Sequence, residues 1–510
     1  MAVPVSPPDP RLEEIHRRKR AFARERGGGV PSNVEWLRSL GGEERQRLGP
    51  LLCRKPTRTL SGVAVVAVMT APAACPHGTC AYCPGGLAMG SPQSYTGEEP
   101  SALRGAQFGY DARAIVTHRL ETLSTIGHPT SKVEVIVMGG TFPARPEAYR
   151  DRVFRNIYEG LNGRVHGSLA EALRANEAAA HRCVGLTVET RPDWCDGRVL
   201  PGLLAAGVTR VEIGVECLRE EVLAASGRAH GVEEVVRATR EARDRGLKVG
   251  YHLMLGLPGM DPERDRADLA RVFGDPRFRP DMIKIYPTLV LPGTALYEEW
   301  RAGRYEPYDA GTAARLLAEI KAGLPPWVRV QRIQRDIPAR LVAAGVRAGN
   351  LRELAQRLLS ATGRRCRCLR CREVGRRAWP DPAALVPVET RYRAGEGEEL
   401  FLSLEDPATD TLAGFLRLRF PSEGTVGGCD GPVIRELKVL GPEVPVGSTA
   451  GPREYQHLGF GRSLLERAEE RAREQGARQL KVLSAVGTRD YYRRLGYVPS
   501  GPHLAKPLFS

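Results

Sequence analysis

From residue 61 to about 295 the chain alternates continuous apolar runs with longer amphipathic, charged stretches. The runs cover residues 61–70, 132–140, 183–190, 209–216, 247–256 and 282–290. Strands buried on both faces read as near-unbroken Val/Ile/Leu, as Val133-Glu-Val-Ile-Val-Met138 almost does. Six such runs, each followed by an amphipathic segment, predict repeated βα units around a parallel sheet. The pattern changes near residue 396. Residues 399–404 and 411–420 read as antiparallel strands, and 432–440 as a third. A helix over 462–475 sets Leu464, Leu465 and Ala468 on one face at the 3.6-residue period, and Gly476 stops it. A strand over 479–485, a short helix over 488–495 and a last edge segment complete an α+β module.

Directly after the first predicted strand stands Cys75-Pro-His-Gly-Thr-Cys80-Ala-Tyr-Cys83. Fully ligated 4Fe-4S clusters take four Cys, and the next Cys, Cys183, is far along the chain. Three thiolates suit a cluster with one open iron, which S-adenosylmethionine (SAM) can chelate. A zinc knuckle or scattered core thiols is the competing reading. In βα barrels chemistry gathers at the C-terminal ends of strands, where this motif falls. Gly139, Gly140 and Thr141 follow the second strand, where missing side chains let backbone approach a ligand. Glu189 and Arg191 end the third strand and Lys284 lies on the sixth. Buried strand-end charges are paired or bind a ligand, and both roles stay open.

Gln456-His-Leu-Gly459-Phe460-Gly461, at a strand-to-helix junction, is a phosphate-cradling loop of the kind that acetyltransferases offer to coenzyme A. Tyr491 and Tyr492 offer a phenol as general acid for a leaving thiolate, with one of the pair expected in the core. Cys366, Cys368 and Cys371 form CxCxxC, read as three ligands of a structural zinc, with a second cluster or a redox role as alternatives. His230 and His252 are candidates for the fourth ligand by residue type alone.

The 510 residues are 42% hydrophobic and 26% charged, the balance of a globular protein, and no apolar run reaches a membrane span. The basic N-terminus (Arg11, Arg17, Arg18, Lys19, Arg20, Arg24, Arg26) lacks the apolar core of a secretory signal. Eleven clustered Cys make a poor disulfide framework. Together these predict a cytoplasmic protein without a membrane partner. The net charge of +15 favours a polyanion, nucleic acid first. Basic residues recur in Lys55-Pro-Thr-Arg58 and in Arg329-Val-Gln-Arg332-Ile-Gln-Arg335.

Several strings carry a family resemblance: residues 75–86, Gln93-Ser-Tyr-Thr-Gly97, Val137-Met-Gly-Gly-Thr-Phe142, Glu189-Thr-Arg-Pro-Asp193, Gln334-Arg-Asp-Ile-Pro338, Gly349-Asn-Leu-Arg352 and 456–461. Across about residues 50–505 the chain resembles the catalytic subunits of Elongator, in a bacterial or archaeal form. The resemblance implies a partial TIM-like (βα) radical-SAM barrel followed by a GNAT-type α+β acetyltransferase domain. Expected boundaries are a basic, partly mobile arm at 1–50, the radical-SAM domain at 51–320, a linker with the CxCxxC motif at 321–395 and the GNAT domain at 396–510. The implied activity installs a carboxymethyl-type group on carbon 5 of the wobble uridine of tRNA. In the family's proposed scheme a 5'-deoxyadenosyl radical takes hydrogen from the acetyl methyl of acetyl-CoA, the carbon radical adds to uracil, and thioester hydrolysis releases CoA.

The resemblance further implies that Lys132, the run Glu436, Leu437, Lys438 and Val439, and Phe460, Gly461 and Arg462 contact acetyl-CoA, together with the tyrosine pair. Expected partners are tRNA, acetyl-CoA and an electron donor, with a homodimer as an assembly the sequence leaves open. Two strings depart from the family: Gly214-Val-Glu216-Cys217 for Gly-Val-Gln-Ser, and Gly227-Arg-Ala-His230 for Asn-Arg-Gly-His. Alternatives are a protein lysine acetyltransferase with a structural cluster, and a tRNA-binding scaffold.

Overall fold

A computed structural model describes residues 10–52, 59–444, 450–451 and 453–509. The basic Lys55–Arg58 string and residues 1–9 lie outside them. Seven strands form the first sheet: β1 (Ala64–Met69), β2 (Lys132–Met138), β3 (Arg182–Thr190), β4 (Arg210–Glu216), β5 (Lys248–Leu255), β6 (Met282–Pro287) and β7 (Arg329–Arg332). They pair in sequence order and all in parallel, with no pairing between β7 and β1, so the sheet curls as an open half-barrel. On β1 and β2, Ala64, Val66, Val68, Val133, Val135 and Val137 are fully buried in the main apolar core, with Ile115, Val116, Phe154 and Ile157 from the covering helices. The alternate residues face the interior of the half-barrel.

The second sheet has the order β13-β14-β12-β11-β10-β9-β8. Its strands are β8 (Val386–Ala394), β9 (Gly397–Asp406), β10 (Thr411–Phe420), β11 (Val433–Val439), β12 (Gln479–Val482), β13 (Val498–Ser500) and β14 (His503–Pro507). Only β11 and β12 run parallel, through the pairs Val433↔Lys481 and Ile434↔Val482, beyond which they part. The helix Phe460–Glu474 buries Leu464, Leu465, Ala468 and Ala472 against this sheet.

The structure departs from the sequence-based expectations at several places. A seventh strand, β7, occupies part of the Arg329–Arg335 string; it has only four residues and one buried side chain, Val330, so no apolar run betrays it. The second module begins at β8, ahead of residue 396, on an edge strand whose polar residues and Pro387 hide its period. The last segment is a hairpin, with β14 inserted between β12 and β13. The described part of the arm is largely helical. Helices Pro10–Glu25, Asn33–Arg38 and Gly42–Leu48 enclose a small core of Ile15, Trp36, Leu37 and Leu48 that reaches Ile126. Ser32 and Glu35 close a capping box at the second helix.

The second module packs across the N-terminal ends of the barrel strands through a buried ionic network, while its Leu483 and Val486 join the main apolar core. Arg435 of β11 grips Asp281, just before β6, with bonds of 2.8 and 2.7 Å. Glu399 of β9 accepts from Arg243, Arg419 and Arg435 at 2.8, 3.0 and 2.8 Å. Arg419 also reaches Asp244 at 2.7 Å, and Arg417 approaches Asp281 at 3.4 Å. All these side chains are at most 1% exposed. Buried charges survive only when paired like this.

Candidate functional site

The C-terminal strand ends converge on a cavity lined among others by Cys75, Cys80, Cys83, Gly140, Thr141, Glu189, Glu212, Arg228 and Lys284. The first loop carries the three thiols. Cys80 and Cys83 are buried, Cys75 is half-buried, and none is in a disulfide. A Cβ on Gly140 would lie 3.7 Å from the Cys75 sulfur, and one on Gly139 would strike Thr70 Oγ1 at 2.3 Å. Both have φ in the left-handed region, +128° at Gly139 and +86° at Gly140, so conformation favours glycine at both and the close approach requires it at Gly139 as well. Thr141 Oγ1 stands 3.7 Å from the Cys75 sulfur.

Two histidines and an arginine close this end. His77 Nε2 is 3.2 Å from the Cys80 sulfur, and Arg228 Nη1 is 3.7 Å from the same atom. Burial, then Arg191 and Arg228, push His77 down to about 4. Burial, then Arg228 and Arg191, take His230 to about 2. Both rings are neutral. The two strings that depart from the Elongator pattern meet here, since Arg228 pairs with Glu216 at 3.6 Å and donates to Gly214 O.

Deeper in the half-barrel, Lys284 lies between Glu212, to which it donates, and Glu189 at 3.3 Å. Burial opposes its charge, yet Glu212, Tyr286 and Glu189 outweigh burial and hold it as an ammonium. Glu212 is held well below the usual carboxylate range despite burial, by Lys284 and Arg210. Tyr95 donates to Glu189 at 3.1 Å, and His252 meets Glu212 at 3.1 Å. Sequence reasoning missed Tyr95, Glu212, His77 and Arg228. A charge inside the apolar run 209–216 was the available signal for Glu212.

The CxCxxC sulfurs lie within 4.8 Å of one another, whereas those of Cys75, Cys80 and Cys83 are more widely spaced. No fourth His, Cys, Asp or Glu among the described residues joins Cys366, Cys368 and Cys371 within that reach. His252 is committed to Glu212 and His230 lies by Arg228, so neither histidine is brought to this triplet. Lys321 Nζ is 3.6 Å from the Cys371 sulfur.

At the other end of the half-barrel, Gly459 (φ +83°) turns the chain into the helix Phe460–Glu474. A Cβ on Gly461 would meet the Tyr491 hydroxyl at 3.1 Å and Val439 Cγ2 at 3.7 Å. The tyrosine pair divides as expected. Tyr491 is 40% exposed beside Gly461, while Tyr492 is buried in the sheet-helix core against Tyr497. Tyr492 is thereby corrected from a catalytic candidate to a packing residue. On β11, Glu436, Leu437, Lys438 and Val439 are half-buried, and Glu436 pairs with Arg417 at 2.9 Å. Arg462 is exposed and pairs with Glu466. Gln456 stands apart from the helix N-terminus. Its amide oxygen accepts from Lys132 Nζ at 2.7 Å, at the foot of β2.

Comparison with known proteins agrees with this geometry. Residues 70–271 match the Radical SAM superfamily, 280–360 the Radical_SAM C-terminal domain, and 452–507 the Acetyltransferase (GNAT) domain. The tRNA uridine(34) acetyltransferase of Methanocaldococcus infernus is 45% identical over 493 residues, 94% of this chain and 92% of that protein. The chain belongs to the Elongator complex protein 3 family. The human Elongator complex protein 3 is likewise 45% identical, over 94% of this chain and 90% of its own. The solved archaeal Methanocaldococcus infernus Elp3 with an N-terminal deletion superposes with a TM-score of 0.79 at 41% identity, covering 88% of this chain and all of that one. The radical-SAM half-barrel and GNAT module expected for this family are both present, in the expected order. Among the described residues no helix is long and apolar enough to cross a membrane.

Proposed function

We propose that this enzyme modifies carbon 5 of the wobble uridine of tRNA with an acetyl-CoA-derived, carboxymethyl-type group. The observation that carries this is the junction of a three-thiol pocket and an acyl-CoA loop through a buried ionic contact, in a chain related to tRNA uridine(34) acetyltransferases. Cys75, Cys80 and Cys83 suit a 4Fe-4S cluster, being free thiols spaced around an open cavity, and leave one iron for SAM. When bound, the cluster and SAM supply a carbon-centred radical that removes a hydrogen atom from a C–H bond.

The chain's own residues do the rest. Gly139, Gly140 and Thr141 leave room for the methionine moiety. Glu189 and Lys284 present a carboxylate and an ammonium to its polar groups. The N–H groups of Phe460, Gly461 and Arg462, at the positive end of a helix, face the pyrophosphate of acetyl-CoA. Burial raises the Tyr491 phenol, which therefore keeps its proton to donate to the departing thiolate. Cys366, Cys368 and Cys371 would supply three ligands of a structural zinc, with the Lys321 ammonium offsetting thiolate charge. An external electron donor and the reducing cytoplasm complete the requirements.

The test is anaerobic incubation with SAM, acetyl-CoA, reductant and tRNA, followed by nucleoside mass spectrometry. A modified uridine that disappears in the Cys75, Cys80, Cys83→Ser variant supports the reading. Unmodified tRNA together with acetylated lysine peptides would replace it with the protein acetyltransferase alternative.

A further inference from the structure

The two candidate sites lie at opposite ends of the half-barrel, and the acetyl group must pass between them. On β2 the burial alternates without a break. Val133, Val135 and Val137 are fully buried, while Lys132, Glu134, Ile136 and Met138, on the interior face, are all partly exposed. Val65 and Ala67 of β1 pair with Glu134 and Ile136 and face the same way. Val65 is 37% exposed and Ala67 is half-buried, between the fully buried Ala64, Val66 and Val68. On the other side the Glu134 side chain lies over Gly185, whose missing Cβ leaves it room to lean away from β1. A strip of partly exposed residues thus runs up the inner face of β1 and β2.

Both ends of this strip are functional. At its foot Lys132 holds Gln456 of the acyl-CoA loop, and the Gln456 amide nitrogen would be 2.8 Å from a Cβ on Gly62. At its head Met138 leads into Gly139 and Gly140, which abuts the Cys75 sulfur. Six residue steps of strand at about 3.3 Å each give a length of about 20 Å. The strip has an apolar wall of Val65, Ala67, Ile136 and Met138. The wall opposite is polar, where Arg210 joins Glu134 at 2.5 Å and Glu212 at 3.3 Å. A pantetheine arm has this character, with methylene segments interrupted by two amides.

We infer that the pantetheine arm of acetyl-CoA threads the interior of the half-barrel along the inner face of β1 and β2. It carries the thioester from the GNAT loop to the radical pocket while the nucleotide end stays on the loop. The inference rests on the function proposed above and adds its route. It accounts for a loop glutamine being anchored to a strand of the other domain rather than to its own helix.

The test is photolabelling of the full-length, cluster-loaded protein with an acyl-CoA whose acyl group carries an alkyl diazirine, read by peptide mass spectrometry. Acetyl-CoA binding is measured by calorimetry on the same sample, with and without tRNA. The expected result is label within residues 64–69 or 132–138, suppressed by excess acetyl-CoA. Ile136→Trp, which fills the strip, should move the label back to residues 437–497. Label confined to residues 437–497 in the wild type, despite measured acetyl-CoA binding, overturns the route. Absence of acetyl-CoA binding overturns the proposed function itself, and the route with it.

Discussion

Asp281→Asn removes one charge from the ionic contact that joins the two domains. Asp281 accepts two bonds from Arg435 and one from the Val249 N–H at 2.8 Å, and has Arg243 at 3.3 Å and Arg417 at 3.4 Å. The neutral amide keeps the volume but leaves Arg243, Arg417, Arg419 and Arg435 facing Asp244 and Glu399, with Glu436 at the edge. Breaking a buried pair from one side costs about 3–5 kcal/mol, because the stranded guanidiniums stay desolvated. At about 2–4 °C per kcal/mol for a domain of a few hundred residues, the melting temperature should fall by roughly 6–20 °C. The unfolding trace should also broaden or split, since a buried part of the contact that couples the two domains is weakened. Despite burial, the surrounding arginines hold Asp281 well below the usual carboxylate range. Its contribution is therefore present above the unfolded pKa near 4 and is lost only as pH falls through the lower folded value. The difference from wild type should be constant from pH 5 upward and close in acid. Differential scanning calorimetry checks this, with Glu299→Gln at an exposed pair as the neutral control. An Asp281→Asn trace superimposed on the wild type would refute the view that this contact unites the domains.

Burial raises Asp265 to about 6 although Tyr308 and the Gly256 N–H donate to it, each at 2.8 Å. The protonated form's stabilisation is complete below pH 4 and lost as pH rises through 6, so Asp265→Asn should be more stable at pH 8 by about 2–3 kcal/mol. Equal or lower stability in urea at pH 8 would count against it. Tyr491→Phe should slow CoA release from acetyl-CoA by roughly 10²-fold, the lower end for a general acid. Tyr492→Ala should instead cost about 3–5 kcal/mol of stability as a core truncation, and stopped-flow thiol detection alongside denaturation separates the two. Cys368→Ser should release zinc and lower the melting temperature; zinc-free wild type purified without chelator, by plasma mass spectrometry, would remove that site.

Much of the architecture was legible because it rests on continuous apolar runs. The first six barrel strands are such runs, and the Cys75–Cys83 loop could be placed at a strand end before any coordinates. The sequence also predicted that one of Tyr491 and Tyr492 packs in the core, but adjacent residues of one type do not reveal which side faces the helix. What stayed hidden was held by polar groups. Leu416-Arg-Leu-Arg-Phe420 reads as a strand with one solvated face, yet Arg417 and Arg419 are fully buried by pairing with residues some 130 or more positions away. β7 and β8 lacked the apolar density that marks a strand, and the N-terminal helices read as charged because their core is only a few residues deep. Glu212 and Lys284 were visible as charges in apolar strands, but their partnership depends on parallel pairing across β4, β5 and β6.

The central claim is that the two domains work on one acetyl group. Acetyl-CoA deuterated in its methyl group, supplied with SAM, reductant and tRNA, tests it through the 5'-deoxyadenosine that is released. The account predicts that this product carries deuterium, and that the label vanishes when Gly461 is replaced by Trp to obstruct the CoA loop. Unlabelled 5'-deoxyadenosine formed alongside modified tRNA would show that the hydrogen comes from elsewhere and would contradict the coupling.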